Sequence, residues 1–295
     1  MLDTLAGVIV PVFFCVLCGY LWSRSGQPFD TAMVSRLVMT LGAPCLIIST
    51  LATVPVALTD LLDVLLAYAL VQGLTLVLGL AWLKAGGLSW RHFFNAMLFP
   101  NVGNMGLPVC LLAFGEPGLA LALGWFTVNS VLHFSLGIMV ASGEWHPRHV
   151  LGNPVVMSAA LALAMMAGGW SLPGWLVASL DLVGALTIPM MLITLGVSLA
   201  GLPWRGMGLA LYVASGRLLV GLGSALIVIW WWPMPALVAA VVVIQSSMPV
   251  AVFNYLFAQR YQQAPEQMAA TVMISTLLAL VSLPLLLAWL LAGRT

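Results

Sequence analysis

Apolar runs of 18 to 26 residues, bounded by glycine, proline or charge, follow one another along the whole chain with only short loops between them. A run of that length is what an α-helix needs to cross the roughly 30 Å hydrocarbon core of a bilayer. Ten can be placed, at 4–22, 33–52, 61–83, 92–114, 118–141, 153–170, 175–200, 207–230, 234–258 and 267–292. Hydrophobic residues fill 63% of the 295 positions and charged residues only 6%, against about a quarter charged in a soluble domain. No aqueous fold covers that much apolar surface. The expectation is an all-α integral membrane protein of about ten transmembrane helices, surrounded by lipid and with no separate soluble domain. A net charge of +1 argues against nucleic acid as a partner.

The basic residues give an orientation. With the N-terminus outside, the inner loops and helix ends carry Arg24, Arg36, Lys84, Arg91, Arg148, Arg205 and Arg260, and the outer ends only Arg294. Seven against one follows the positive-inside rule and places both termini outside a bacterial-type inner (plasma) membrane. Residues 1–22 lack a basic leader and a small-residue cleavage site, so the first span is expected to be retained. Cys15, Cys18, Cys45 and Cys110 lie inside apolar stretches and read as small packing residues; no metal site is expected from them.

Five spans per half require the second half to enter the membrane upside down relative to the first, and a repeat at that distance is visible. Pro11-Val12 recurs as Pro154-Val155, Leu37-Val38 with Pro44 as Leu182-Val183 with Pro189, and Pro108 as Pro249, at shifts of 143, 145 and 141 residues. These point to an inverted five-plus-five repeat, 1–146 and 147–295.

Span four contains Phe99-Pro-Asn-Val-Gly-Asn-Met-Gly-Leu-Pro108, too many helix breakers for a continuous helix. Its mate in span nine contains Gln245-Ser-Ser-Met-Pro249. Backbone that leaves the helix at membrane depth is buried in protein or lines a wet cavity, and matched broken helices mark the binding site of a transporter. The second half-helices are expected to start near Pro108 and Pro249, with Ser247 capping the latter. Their N-termini suit a carboxylate; the C-termini of the first halves equally suit a cation. Asn101, Gly103, Asn104, Gly106, Pro108, Gln245, Ser246, Ser247 and Pro249 are therefore the candidate substrate-binding residues, with Asn129 of span five.

Arg217 falls near the middle of span eight, at the place of Gln72 in the first half. A guanidinium there costs roughly 3 kcal/mol or more unless it faces a cavity or a partner. It either attracts an anion or belongs to a structural ion pair. Asp181 and His133 are candidates for proton or ion coupling. Asp60 and Asp63 form an Asp-x-x-Asp at a membrane edge without a second acidic motif, and read as a solvated helix start. No nucleophile, zinc, P-loop or dinucleotide motif stands in a suitable setting, so neither an enzyme nor a cofactor is expected.

The stretches Leu98-Phe-Pro-Asn-Val-Gly-Asn-Met-Gly-Leu-Pro108 with Phe114-Gly-Glu116, Gln245-Ser-Ser-Met-Pro249 with Ala258-Gln-Arg-Tyr261, and Pro189-Met-Met-Leu-Ile-Thr-Leu-Gly-Val-Ser-Leu199 resemble the auxin efflux carrier family. That family includes plant PIN proteins and bacterial permeases for malonate, malate and related carboxylates. The resemblance implies a scaffold of spans one, two, six and seven, a transport unit of the rest, elevator-like movement, and a homodimer through the scaffold. It makes Asn101 a substrate contact. The long loop of many plant members is absent here, which argues against auxin itself. The expectation is a secondary transporter of a small organic anion, a mono- or dicarboxylate. The alternatives are a sodium-coupled transporter of the same fold for another substrate, and an intramembrane enzyme.

Overall fold

The computed structural model describes residues 2–54, 56–144, 153–202 and 207–292. Among them every regular element is helical, apart from a single isolated antiparallel bridge between Pro100 and Val250. In chain order the helices are α1 (Leu2–Arg24), α2 (Thr31–Leu37), α3 (Ala43–Thr53), α4 (Leu58–Ala85), α5 (Trp90–Leu98), α6 (Leu107–Leu132) and α7 (Ile138–Ser142). They continue as α8 (Pro154–Gly168), α9 (Gly174–Gly184), α10 (Thr187–Ala200), α11 (Met207–Trp231), α12 (Ala236–Ser246), α13 (Val252–Arg260) and α14 (Pro265–Ala292).

Among the described residues seven stretches are long and apolar enough to cross a membrane, and α8 and α12 are shorter apolar helices. The longest stretch, Val102–Ser142, is 41 residues, about twice a bilayer crossing. Gly115 divides it, with φ +69° and ψ −164°. A side chain there would be strained, so the residue that turns the chain is the one without a Cβ. This is where the sequence separates spans four and five.

Among the described residues three π-helical segments interrupt the α-helices: Val38–Gly42, Val102–Gly106 and His133–Gly137. The first two each end two residues before a proline, Pro44 and Pro108. Proline has no N–H to give and its ring clashes with the carbonyl four residues back. A π turn ahead of it, with its wider spacing, lets the rod continue, so α2 and α3 form one span.

The helices pack in two groups. In one, α1 lies on α10, and α3 on α8 and α9; in the other, α11 packs against α4 and α14, and α12 against α6. The α1–α10 contact is close because a Cβ on Gly19 or Gly196 would collide with the main chain of Ile193 or Val16, the small-residue solution to helix packing without a hydrophobic driving force. Tyr212 donates to Trp82 O at 2.9 Å, tying α11 to the end of α4, and Gln263 donates to Ala141 O at 3.2 Å, tying the α13–α14 loop to α7. Arg36 and Arg260 line one cavity with Asn153. Arg148, Arg205 and Arg294 lie outside the described residues. Asp60 sits in the first turn of α4, where a carboxylate is favoured by the helix dipole.

Candidate functional site

Two helices break where they cross. After α5 the chain is extended through Phe99, Pro100 and Asn101, and after α12 through Met248, Pro249, Val250 and Ala251. The broken strands bond to each other: Asn101 N donates to Pro249 O at 2.7 Å and Ala251 N to Phe99 O at 3.3 Å. Each break therefore satisfies groups that the other has freed, as backbone at membrane depth requires.

Side chains complete that accounting. The buried Asn254 donates its amide to Asn95 O and Phe99 O, both at 3.0 Å, and its Oδ1 lies 2.6 Å from His133 Nε2. The His133 ring stacks on Phe99 at 4.5 Å. Gln72 donates to Leu98 O at 3.0 Å. Arg217, 1% exposed, donates through Nη1 to Met97 O and through Nη2 to Ser246 O. Val250 N donates to Ser275 Oγ at 3.0 Å.

The second halves do not start where the sequence places them. Span four resumes at the π segment Val102–Gly106, behind Asn101, whose carbonyl accepts from Met105 N and Gly106 N. Pro108 is thus already inside the rod, and not at its start. Span nine resumes at Val252, with Ala251 as its cap residue. Ser247 is no N-cap: it ends α12, and its hydroxyl bonds back to Val243 O at 2.7 Å. A serine in a helix can satisfy itself on the carbonyl four residues back, and Ser246 does the same onto Val242 O.

A hollow lies in front of the crossover, made of neighbouring cavities that share Asn104 and Phe253 in their walls. A cavity of about 200 Å³ is lined by Thr31, Ser35, Asn104, Thr194, Val252, Phe253 and Tyr255 among others. A narrow extension of about 30 Å³ reaches Asn101, Gly103, Asn104, Asn129, Ser130, His133, Ala251 and Phe253. The first-turn residues of both second half-helices, Gly103 and Asn104 on one and Val252 and Phe253 on the other, thus border the same space. The first N–H groups of a helix lack intrahelical acceptors and carry its positive dipole end, so this hollow is suited to an anion. A wider vestibule of about 460 Å³ adjoins it, lined by Ser35, Arg36, Thr40, Phe134, Phe253 and Arg260.

The structure thus brings Asn101, Gly103, Asn104, Asn129 and His133 together at the hollow. Asn101 is 4% exposed and its Nδ2 has no hydrogen-bond partner among the described residues. Asn129 Oδ1 accepts from Tyr68 OH at 3.4 Å. Gly106, Pro108, Gln245, Ser246, Ser247, Pro249 and Arg217 belong to the crossover but do not line the hollow. Gln245 is wholly buried with both amide atoms unpartnered, and a Cβ on Gly106 would fall on its carboxamide. Arg217 bonds to carbonyls, not to a carboxylate, so the ion-pair alternative is replaced by a clamp on two helix ends. Asp181 is exposed on α9, apart from the crossover. Among the described residues no His, Cys, Asp or Glu cluster could hold a metal.

The residues the sequence reading missed are Asn254, Tyr68, Thr194 and Phe253. Asn254 was signalled by a lone amide between aromatics in an apolar run, Phe253-Asn254-Tyr255. Tyr68 and Gln72 stand four apart on one helix face, two polar groups in an otherwise apolar span.

A family described as "Membrane transport protein" matches residues 5–144 and 138–287. The chain is 26% identical, over 94% of its length and 95% of the relative's, to an uncharacterised transporter of Methanothermobacter thermautotrophicus. It is 24% identical to an uncharacterised transporter of Methanocaldococcus jannaschii, over 94% and 96% of the two chains. It is also 24% identical, over 93% and 92%, to a Rhizobium meliloti protein provisionally named a malonate transporter. These relatives are named as transporters, not as enzymes.

Proposed function

Because the chain belongs to the membrane transport protein family, we propose that it is a secondary active transporter of a small organic anion, a mono- or dicarboxylate such as malonate or malate, bound in front of the crossover. The observation that carries this reading is that the first turns of both second half-helices, at Gly103 and Asn104 and at Val252 and Phe253, border one hollow. A carboxylate there meets two positive dipole ends and the neutral donors Asn101, Asn104 and Asn129. The provisional name of the Rhizobium meliloti relative supports the substrate class.

The ten spans form an inverted five-plus-five repeat, 1–146 and 147–295, in which spans four and nine are the broken pair. Their mutual backbone pairing supports this. Spans one, two, six and seven form the scaffold and the others the transport unit. The two packing groups follow that division, and the hollow lies between them, lined by α2 and α10 on one side and the crossover on the other. Sliding of one group along the other carries the anion in an elevator-like movement. Arg36 and Arg260 at the vestibule raise the local anion concentration. The chain resides in a bacterial-type plasma membrane with both termini outside, as a homodimer through the scaffold.

A thermal-shift screen of purified protein against a carboxylate panel, followed by uptake into proteoliposomes, tests the reading. Stabilisation grows with ligand in excess of Kd, about 2.7 kcal/mol at a hundredfold excess. Stabilisation and uptake confined to carboxylates support it; indifference to all of them overturns it.

A further inference from the structure

Arg217 belongs to the crossover without lining the hollow, and its two terminal nitrogens divide between the last turns of the two first half-helices. Nη1 donates to Met97 O of α5 and Nη2 to Ser246 O of α12. Each helix C-terminus carries about half a negative charge, so two that converge carry about one. A guanidinium supplies about one positive charge in return. Half-helix C-termini with unwound carbonyls are also where broken-helix transporters hold a coupling sodium ion. Here the neighbouring carbonyls are taken as well, Leu98 O by Gln72 and Phe99 O by Asn254 and Ala251 N.

We propose that Arg217 is a tethered counter-cation, occupying the place at the paired half-helix C-termini where a coupling cation would otherwise bind, so that anion binding at the front of the crossover needs no sodium. This rests on the anion reading above for its front half only; the occupancy of the C-termini stands on Arg217's own contacts. Arg217 acts through the helix ends and is a positioning residue, not a ligand of the substrate. The charge travels with the protein and is never released, so sodium contributes nothing to the affinity of the wild-type protein.

The experiment compares wild type, Arg217→Ala and Arg217→Lys, purified in detergent, by thermal unfolding in N-methyl-glucamine chloride with millimolar sodium, guanidinium or urea added. Wild type is expected to melt at one temperature in all of them. Arg217→Ala is expected to melt lower and to be restored by guanidinium, with a smaller gain from sodium and none from urea, a neutral molecule of the same shape. Arg217→Lys is expected to melt between them without a sodium response, since an ammonium keeps the charge but not the fork. Malonate binding to wild type is expected to change less than about twofold between sodium and N-methyl-glucamine.

A sodium-dependent melting temperature in wild type, or malonate binding about tenfold weaker without sodium, overturns the proposal. So does equal rescue of Arg217→Ala by urea and guanidinium, which would make the side chain a space-filler. If Arg217→Ala cannot be purified, the wild-type and Arg217→Lys results decide. If no carboxylate binds wild type in either salt, the proposed function fails, while the melting data still judge the role of Arg217.

Discussion

The main-chain N–H of Asn101 donates to the carbonyl of Pro249 at 2.7 Å, tying a break in the first half of the chain to a break in the second. Neither helix can re-form through its break without stripping the other of a partner. The crossover is therefore one unit held by backbone bonds, and the side chains around it act on both helices together.

Asn254 is the side chain with most to lose. It serves Asn95 O, Phe99 O and His133. Hydrogen bonds between membrane helices average about 0.6 kcal/mol, so Asn254→Leu, which removes three of them, is expected to destabilise by about 2 kcal/mol; Asn95 O and Phe99 O keep their bonds from Phe99 N and Ala251 N. His133→Phe keeps the stack on Phe99 and is expected to lose about a third of that. Denaturant unfolding in detergent checks both; equal effects would mean that the bond to His133, and not the amide's bonds to Asn95 O and Phe99 O, holds the break.

Gly106 gives a steric prediction. Gly106→Ala puts a methyl on the carboxamide of Gln245, and overpacking of this kind costs about 1–3 kcal/mol. The double variant with Gln245→Ala is expected to recover much of the loss, because the two residues are in contact and their effects do not add. Additive losses in a double-mutant cycle would refute the contact.

The breaks were legible in the residues, and their exact starts were not. Phe99 to Pro108 and Gln245 to Pro249 announced broken helices, and Asn101, Asn104, Asn129 and His133 do stand at the hollow. But a proline was read as the first turn of each second half, whereas the chain absorbs Pro108 with a π turn, a device decided by neighbouring contacts and invisible to local pattern. Ser247 was misread for a related reason: its hydroxyl has a choice of acceptors, and the carbonyl of Val243 wins. Arg217 was recognised as exceptional from burial cost alone, but which carbonyls it serves depends on how two distant segments cross. Asp181 lies exposed on α9, apart from the crossover.

The orientation is open to labelling. In a chain freed of its four cysteines, Ser25→Cys, Ser89→Cys and Gln262→Cys are expected to react with an impermeant maleimide only from the cytoplasmic side. Thr59→Cys and Ser171→Cys are expected to react only from outside. The reverse pattern would invert the membrane assignment, and a mixed one would break the ten-span reading.

The most direct measurement is equilibrium binding of radiolabelled mono- and dicarboxylates, malonate first, to the purified wild-type, Asn101→Ala and Met105→Leu proteins. Asn101 offers a buried amide nitrogen without a partner at the corner of the hollow, and one hydrogen bond to a charged ligand is worth about 1.5–3 kcal/mol. Asn101→Ala is therefore expected to raise Kd by about tenfold or more with the fold intact, while Met105→Leu leaves it nearly unchanged. Binding that is the same in Asn101→Ala and wild type, or a bound carboxylate located away from both helix breaks, would contradict a site at the crossover.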